Sequence, residues 1–117
     1  MSLRMPENEG KYKQFVADGG LEHGCVLCKK EPVLMFTYWK IVPNSYPYDR
    51  IAKTHDMIMP IRHAKETELT DAEWREFEKI SAEYLHPVYE YLVESTHKSK
   101  SLPEHYHLHL IVTTEPA

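Results

Sequence analysis

The stretch that decides how this chain folds is His105-Tyr106-His107-Leu108-His109-Leu110-Ile111-Val112. Polar or histidine positions alternate with apolar ones at period two, the periodicity of a strand. That puts three imidazoles on one face and Tyr106, Leu108 and Leu110 on the other. One face is suited to packing and the other to chemistry. Histidine has no special strand propensity, so the trio must either be solvated or find partners. One reading is a solvated strand face. A second is a three-histidine metal site, since imidazole is the commonest zinc ligand. Same-face neighbours lie about 7 Å apart along a strand, which brings two of them to one metal more easily than three.

Outward from this strand, Thr70-Asp71-Ala72-Glu73 has the form of a capping box. Trp74, Phe77, Ile80, Tyr84, Leu85 and Val88 then recur at intervals of three and four. These predict one long amphipathic helix over 71–94, kinked at Pro87, where a backbone donor is lost. Val33 to Val42, rich in β-branched and aromatic residues, predicts a single long strand. Pro43-Asn44-Ser45-Tyr46-Pro47-Tyr48 is turn chemistry, and the apolar run Met57 to Ile61 is expected to pair antiparallel with that strand. Pro6 to Ala17 predicts a short helix stopped by Gly19-Gly20. Met1-Ser2-Leu3 has the form of an expression scar and is left out of the fold reading. Strands broken by one long helix, without regular strand-helix alternation, argue for an α+β fold: a mostly antiparallel sheet of about four to five strands, a central helix and a short N-terminal helix.

A length of 117 residues fits one domain, 1–117, and excludes a large multidomain enzyme. With 42% hydrophobic and 27% charged residues the composition is globular rather than disordered. Fourteen Lys and Arg against 18 Asp and Glu give a net charge of −4, so no whole-molecule basic field exists to hold nucleic acid or an anionic membrane. Any phosphate must be held by a local site. No apolar run approaches the roughly 18 residues of a membrane span, and no signal-peptide core is evident. A cytoplasmic, reducing setting suits two cysteines. Those two, Cys25 and Cys28, have the spacing of half a metal site or of a redox pair. A redox pair would want a βαβ context and a helix N-terminus, which the sequence does not offer. A tetrahedral zinc needs two further ligands. Buried, unliganded cysteines are the remaining alternative.

In chain order the sequence carries Cys25-x-x-Cys28, Asn44-x-x-Pro47, His55-Asp56-Met57-Ile58-Met59-Pro60-x-x-His63, a helix opening at Thr70, and His105-x-His107-x-His109 followed by two apolar residues. This ordered set resembles the histidine triad (HIT) family of nucleotide hydrolases and transferases. The resemblance implies a HIT-like fold and a two-step reaction. The middle histidine, His107, attacks the α-phosphorus of a purine nucleotide derivative, a phosphoramidate or dinucleotide polyphosphate, and forms a nucleotidyl-histidine that water hydrolyses. A neutral imidazole can do this at pH 7 without a strong base, with its other ring nitrogen donating to a carbonyl or carboxylate. His109 matches the histidine that contacts the phosphate and the leaving atom. Asn44 matches the ribose contact, although a Pro-Asn-Ser-Tyr-Pro turn also explains an asparagine there. His55 matches a histidine that supports the nucleophile's surroundings, with a solvated side chain as the alternative.

In the branch of the family that carries a Cys pair, the remaining zinc ligands correspond to His63 and His105. A closed Cys2His2 set leaves no position for water, so such a zinc is structural. The chain departs from the family between helix and triad. Relatives place a further strand and a glycine-rich phosphate loop there, whereas no glycine follows Gly24 and only 95–104 intervene. Ser101 or Ser99 would have to substitute as donors. The segment Asp49 to Thr54 is longer than usual, and the family's specificity tail is lacking after Val112. The alternative function is a zinc-stabilised nucleotide-binding module without catalysis, and a third is hydrolysis by a metal on all three histidines. A homodimer through a sheet edge at Val33–Val42 or through the long helix is a further expectation. His23, His86 and His97 are expected at the surface, and so is a basic patch of Lys98 and Lys100. Trp39, Tyr84, Tyr89 and Tyr91 are expected to pack.

Overall fold

Antiparallel strands organise the computed structural model, which describes residues 2–96, 98 and 102–114. Helix α1 is Pro6–Ala17 and α2 is Val26–Lys29. Strands β1 Leu34–Met35, β2 Trp39–Pro43 and β3 Ala52–Pro60 follow. After a 3-10 turn at Glu66–Glu68 come α3 Asp71–Ile80, a π-helical turn Ser81–Leu85 and α4 His86–Val88. Strands β4 Tyr91–Val93 and β5 Leu108–Thr113 complete a five-stranded sheet of order β1-β2-β3-β5-β4, in which every pairing is antiparallel. The fold is therefore α+β, as the element pattern implies.

Three elements differ from the expectation, each for a physical reason. The single strand over 33–42 is a tight hairpin, with Phe36 N donating to Trp39 O at 2.8 Å. The Glu76 carboxylate of α3 accepts from Thr37 N at 3.2 Å and Tyr38 N at 2.7 Å, which satisfies the donors at the turn tip. The sheet edge expected along Val33–Val42 is thus only β1, with β2 inside. The helix predicted over 71–94 stops at Val88. Before Pro87 its hydrogen bonds slip to i→i+5, with His86 N donating to Ser81 O, so the turn preceding the proline widens. Tyr91 to Val93, inside the span that the apolar period predicts as helix, form β4. Tyr91 is 55% exposed instead of packed. Finally, β5 begins at Leu108, and His105 to His107 form an extended approach to it, pinned by Tyr106 N donating to Ala64 O at 2.8 Å.

Alternation within the strands gives the sheet two unlike faces. Ile41, Ile58, Leu108 and Leu110 meet α3 and the following turn in a core centred on Trp39, which is fully buried. Trp39 Nε1 donates to Glu73 O at 2.7 Å, and its ring lies 4.9 Å from Phe77 and 5.9 Å from Trp74. Val42, Met57 and Met59 face the other way and pack on Leu27 of α2. His55 and His109 share that second face, since His109 pairs directly with Met57 and His55 lies two residues along β3. No helix among the described residues is long and apolar enough to cross a membrane.

Candidate active site and metal centre

Gly24, with φ +87, turns the chain into α2, and Cys25 caps that helix by accepting from Cys28 N at 3.4 Å. One helical turn thereby sets both thiols side by side. His63 follows β3, and His105 lies in the extended approach to β5. The Nδ1 of His105 is 3.3 Å from Cys25 Sγ and 3.4 Å from Cys28 Sγ, and His63 Nδ1 is 3.4 Å from Cys28 Sγ. Metal–sulfur bonds of about 2.3 Å and metal–nitrogen bonds of about 2.0 Å in a tetrahedron make a nitrogen–sulfur edge of about 3.5 Å. The observed separations lie close to that edge, and all four donor atoms fall within 4.8 Å of one another. His105 Nε2 is 2.8 Å from Pro60 O, so it carries the proton and leaves the Nδ1 lone pair toward the sulfurs. The residues Cys25, Cys28, His63 and His105 could hold a metal ion.

Beyond His105 the other two triad histidines turn elsewhere. His107 Nδ1 donates to His105 O at 2.9 Å, which fixes its tautomer with the lone pair on Nε2. His109 Nδ1 lies 2.7 Å from His55 Nε2. The three imidazoles thus face three different sets of partners and do not converge on one metal. All three are buried, at 1%, 8% and 5% exposure, so this is no solvated strand face either.

The tautomers of His55 and His109 follow from one donor that cannot reverse. Tyr48 N–H donates to His55 Nδ1 at 2.8 Å. His55 in its neutral form must then carry its proton on Nε2 and donate to His109 Nδ1, which leaves the His109 proton on Nε2. That nitrogen lies 3.4 Å from the Tyr48 hydroxyl. Burial, then the charges of Arg4 and His107, holds His55 down at about 4. Burial, followed by His55, His107 and Arg4, holds His109 down at about 3. Both rings are neutral at pH 7.

His107 and His109 line a cavity of about 210 Å3 together with Asn44 and Tyr48 from the 44–48 turn. Asn44 Oδ1 accepts from Tyr46 N at 2.7 Å, closing an Asx turn, while its amide nitrogen lies 3.4 Å from His55 Nε2. Ser95 and Leu102, both from the connection between β4 and β5, also line it. Ser99, Ser101, His97 and Lys100 lie outside the described residues. His23 and His86 are exposed and stand apart from the cavity lining, as expected of them. The sequence reading missed Arg4, Lys30 and Tyr48, which line the cavity as well. None has a spacing signal. Arg4 follows the three residues left out of the fold reading, yet Leu3 O accepts from Arg50 N at 3.0 Å, so that segment belongs to the fold.

No protein-family model matches the chain, and no curated protein sequence matches it. Among solved structures it is similar to the crystal structure of a HIT family hydrolase from Legionella pneumophila Philadelphia 1, with a TM-score of 0.52 and 20% identity over 76% of this chain and 92% of that one. The α+β fold described above is HIT-like.

Proposed function

We propose that this chain is a HIT-like nucleotide hydrolase or nucleotidyl transferase that acts on the α-phosphate of a phosphoramidate or dinucleotide polyphosphate through a nucleotidyl-His107. The observation that carries this reading is the His107 Nδ1 bond to the His105 carbonyl, at 2.9 Å, in a cavity that His109 also lines. It sets the nucleophilic lone pair on Nε2 without any added base. In the first step the Nε2–phosphorus bond forms and the bond from phosphorus to the leaving atom breaks. The electron pair departs with the leaving group, which takes a proton from water where its basicity requires one. The His109 Nε2–H hydrogen-bonds the phosphate and leaving atom. In the second step water attacks phosphorus, the electron pair returns to Nε2, and the water proton passes to solvent as the nucleoside monophosphate departs. Asn44 is assigned to the ribose, His55 to positioning His109, and Ser101 to the phosphate.

Cys25, Cys28, His63 and His105 would hold zinc, as in the Cys-pair branch of the family; when bound, it supplies a closed structural crosslink. These four residues tie α2, the loop after β3 and the approach to β5 together two residues from His107, so the clamp orients the nucleophile. The lack of any glycine after Gly24 favours a second reading, a zinc-stabilised nucleotide-binding module without catalysis.

The test compares wild type with His107→Ala on an AMP phosphoramidate and on a diadenosine polyphosphate. Turnover should fall at least about a thousandfold, with covalent nucleotide detectable by mass only in wild type. Equal turnover in both proteins refutes the nucleophile. Nucleotide binding by wild type without turnover establishes the second reading.

A further inference from the structure

Although the chain is acidic overall, every full charge among the described residues lining the His107 cavity is positive: Arg4 and Lys30 line it, and no Asp or Glu does. Arg4 comes from the segment ahead of α1, and Lys30 from the end of α2. Both are held in place before any ligand arrives. Arg4 Nε donates to Tyr46 O at 2.6 Å, and its guanidinium carbon stands 4.1 Å over the Tyr12 ring and 5.0 Å over the Tyr48 ring. Its nearest carboxylate, Glu9, is at 3.8 Å and is itself engaged by the Ser2 hydroxyl. Lys30 Nζ contacts the Ser45 hydroxyl and, at 3.4 Å, Pro43 O.

The N-terminal segment that carries Arg4 is fastened along the turn that forms the cavity wall. Met5 N donates to Asp49 Oδ1 at 2.8 Å, Asn8 Nδ2 to Pro47 O at 2.8 Å, and Arg50 Nε to Ser2 O at 3.0 Å. Tyr12 and Phe15 of α1 pack on Tyr46 with ring centroids 5.5 and 5.3 Å apart. These bonds place a fixed guanidinium fork and, from a separate element, a lysine at one cavity, two cations that can each meet phosphoryl oxygens.

Accepting that the cavity binds nucleotides, as proposed above, we infer that Arg4 and Lys30 are its phosphate-chain ligands and that the chain selects nucleotide derivatives with at least one anionic phosphate beyond the α position. This pair does the work that a glycine-rich loop would otherwise do, and it restricts the substrate class to polyphosphates over phosphoramidates with neutral or cationic leaving groups. Two cations in a lining that holds no carboxylate, with Glu9 3.8 Å from Arg4, favour more anionic oxygens than the single negative charge of a nucleoside phosphoramidate monoester supplies. The same field reaches the histidines: after burial, Arg4 is the next influence that keeps His55 neutral.

Equilibrium binding of AMP, ADP and ATP to the full chain, without added divalent cation, tests this independently of turnover. Wild type should bind ADP and ATP more tightly than AMP. In Arg4→Gln the ADP and ATP affinities should fall about tenfold while AMP changes by less than about twofold, and Arg4→Lys should lie between. Because Arg4 also fastens the N-terminal segment, Lys30→Gln, on a separate element, provides the second arm and should flatten the same gradient. Equal binding of all three nucleotides by wild type, an equal loss for all three in both variants, or no change in either overturns the inference. Intact charge-graded binding with no turnover would remove the catalytic reading alone; intact turnover with flat binding would remove this one alone.

Discussion

Two histidines at diagonal positions on neighbouring strands, His55 and His109, share one short hydrogen bond at 2.7 Å, and one backbone N–H dictates both protons. Their usual value of 6.5 falls to about 4 and about 3, chiefly through burial. Between about pH 6.5 and pH 4 the unfolded chain therefore binds protons on these rings that the folded chain refuses, and stability falls as the pH falls through that window. The expected result is a thermal midpoint that drops on acidification from pH 7 to 5. His55→Gln should reduce the proton uptake linked to unfolding by about one proton in the same range. An unchanged pH slope in that variant would show that His55 titrates normally in the fold. The period-two pattern made the placement of His109 legible. Nothing local marked His55 as its partner, because that contact joins residues 54 positions apart.

At the scale of the element, the N-terminus of α3 does more than end a helix. Thr70 Oγ1 accepts from Glu73 N at 3.2 Å and Glu73 Oε1 accepts from Thr70 N at 2.8 Å, the reciprocal box that the Thr-x-x-Glu spacing announces. The same carboxylate oxygen accepts from Arg62 Nη2 at 2.9 Å, which holds the residue just before His63. Thr70→Ala should lower unfolding free energy by about 1 kcal/mol in urea, since one capped donor loses its acceptor. No loss in the midpoint would mean that the Arg62 contact alone holds the turn. The helix's other end was misread because Tyr84, Leu85 and Val88 continue the apolar period through Pro87. The widened turn before the proline keeps Leu85 and Tyr84 against the core, while Val88 is exposed and the chain leaves the helix for β4.

For the whole molecule, the Cys25, Cys28, His63 and His105 cluster brings α2, the loop after β3 and the approach to β5 to one point. Chelation of the proposed zinc at neutral pH should lower the thermal midpoint by about 10 °C, a few kcal/mol for a domain of this size, and zinc but not magnesium should restore it. A midpoint indifferent to both chelator and zinc would count against a structural metal. Cys28→Ser, measured by metal content, should retain less than about one tenth of the wild-type zinc, because a tetrahedral set loses a thiolate.

The sequence by itself determined the α+β class, the capping box, the short first helix, the β2–β3 pairing and the sorting of apolar from histidine positions along 105–112. These depend on periodicity and near-neighbour chemistry, which a linear reading contains. Only the tertiary structure decided that 33–42 folds back on itself, since the donors of its turn are satisfied by Glu76 from a distant helix. The resemblance implied separate roles for the three triad histidines; the tertiary structure alone paired His109 with His55, while His105 faces two sulfurs and His107 a carbonyl. It also brought Arg4 to the cavity across more than 40 residues of chain, because a positive charge near the N-terminus has no local pattern to reveal the wall it will complete.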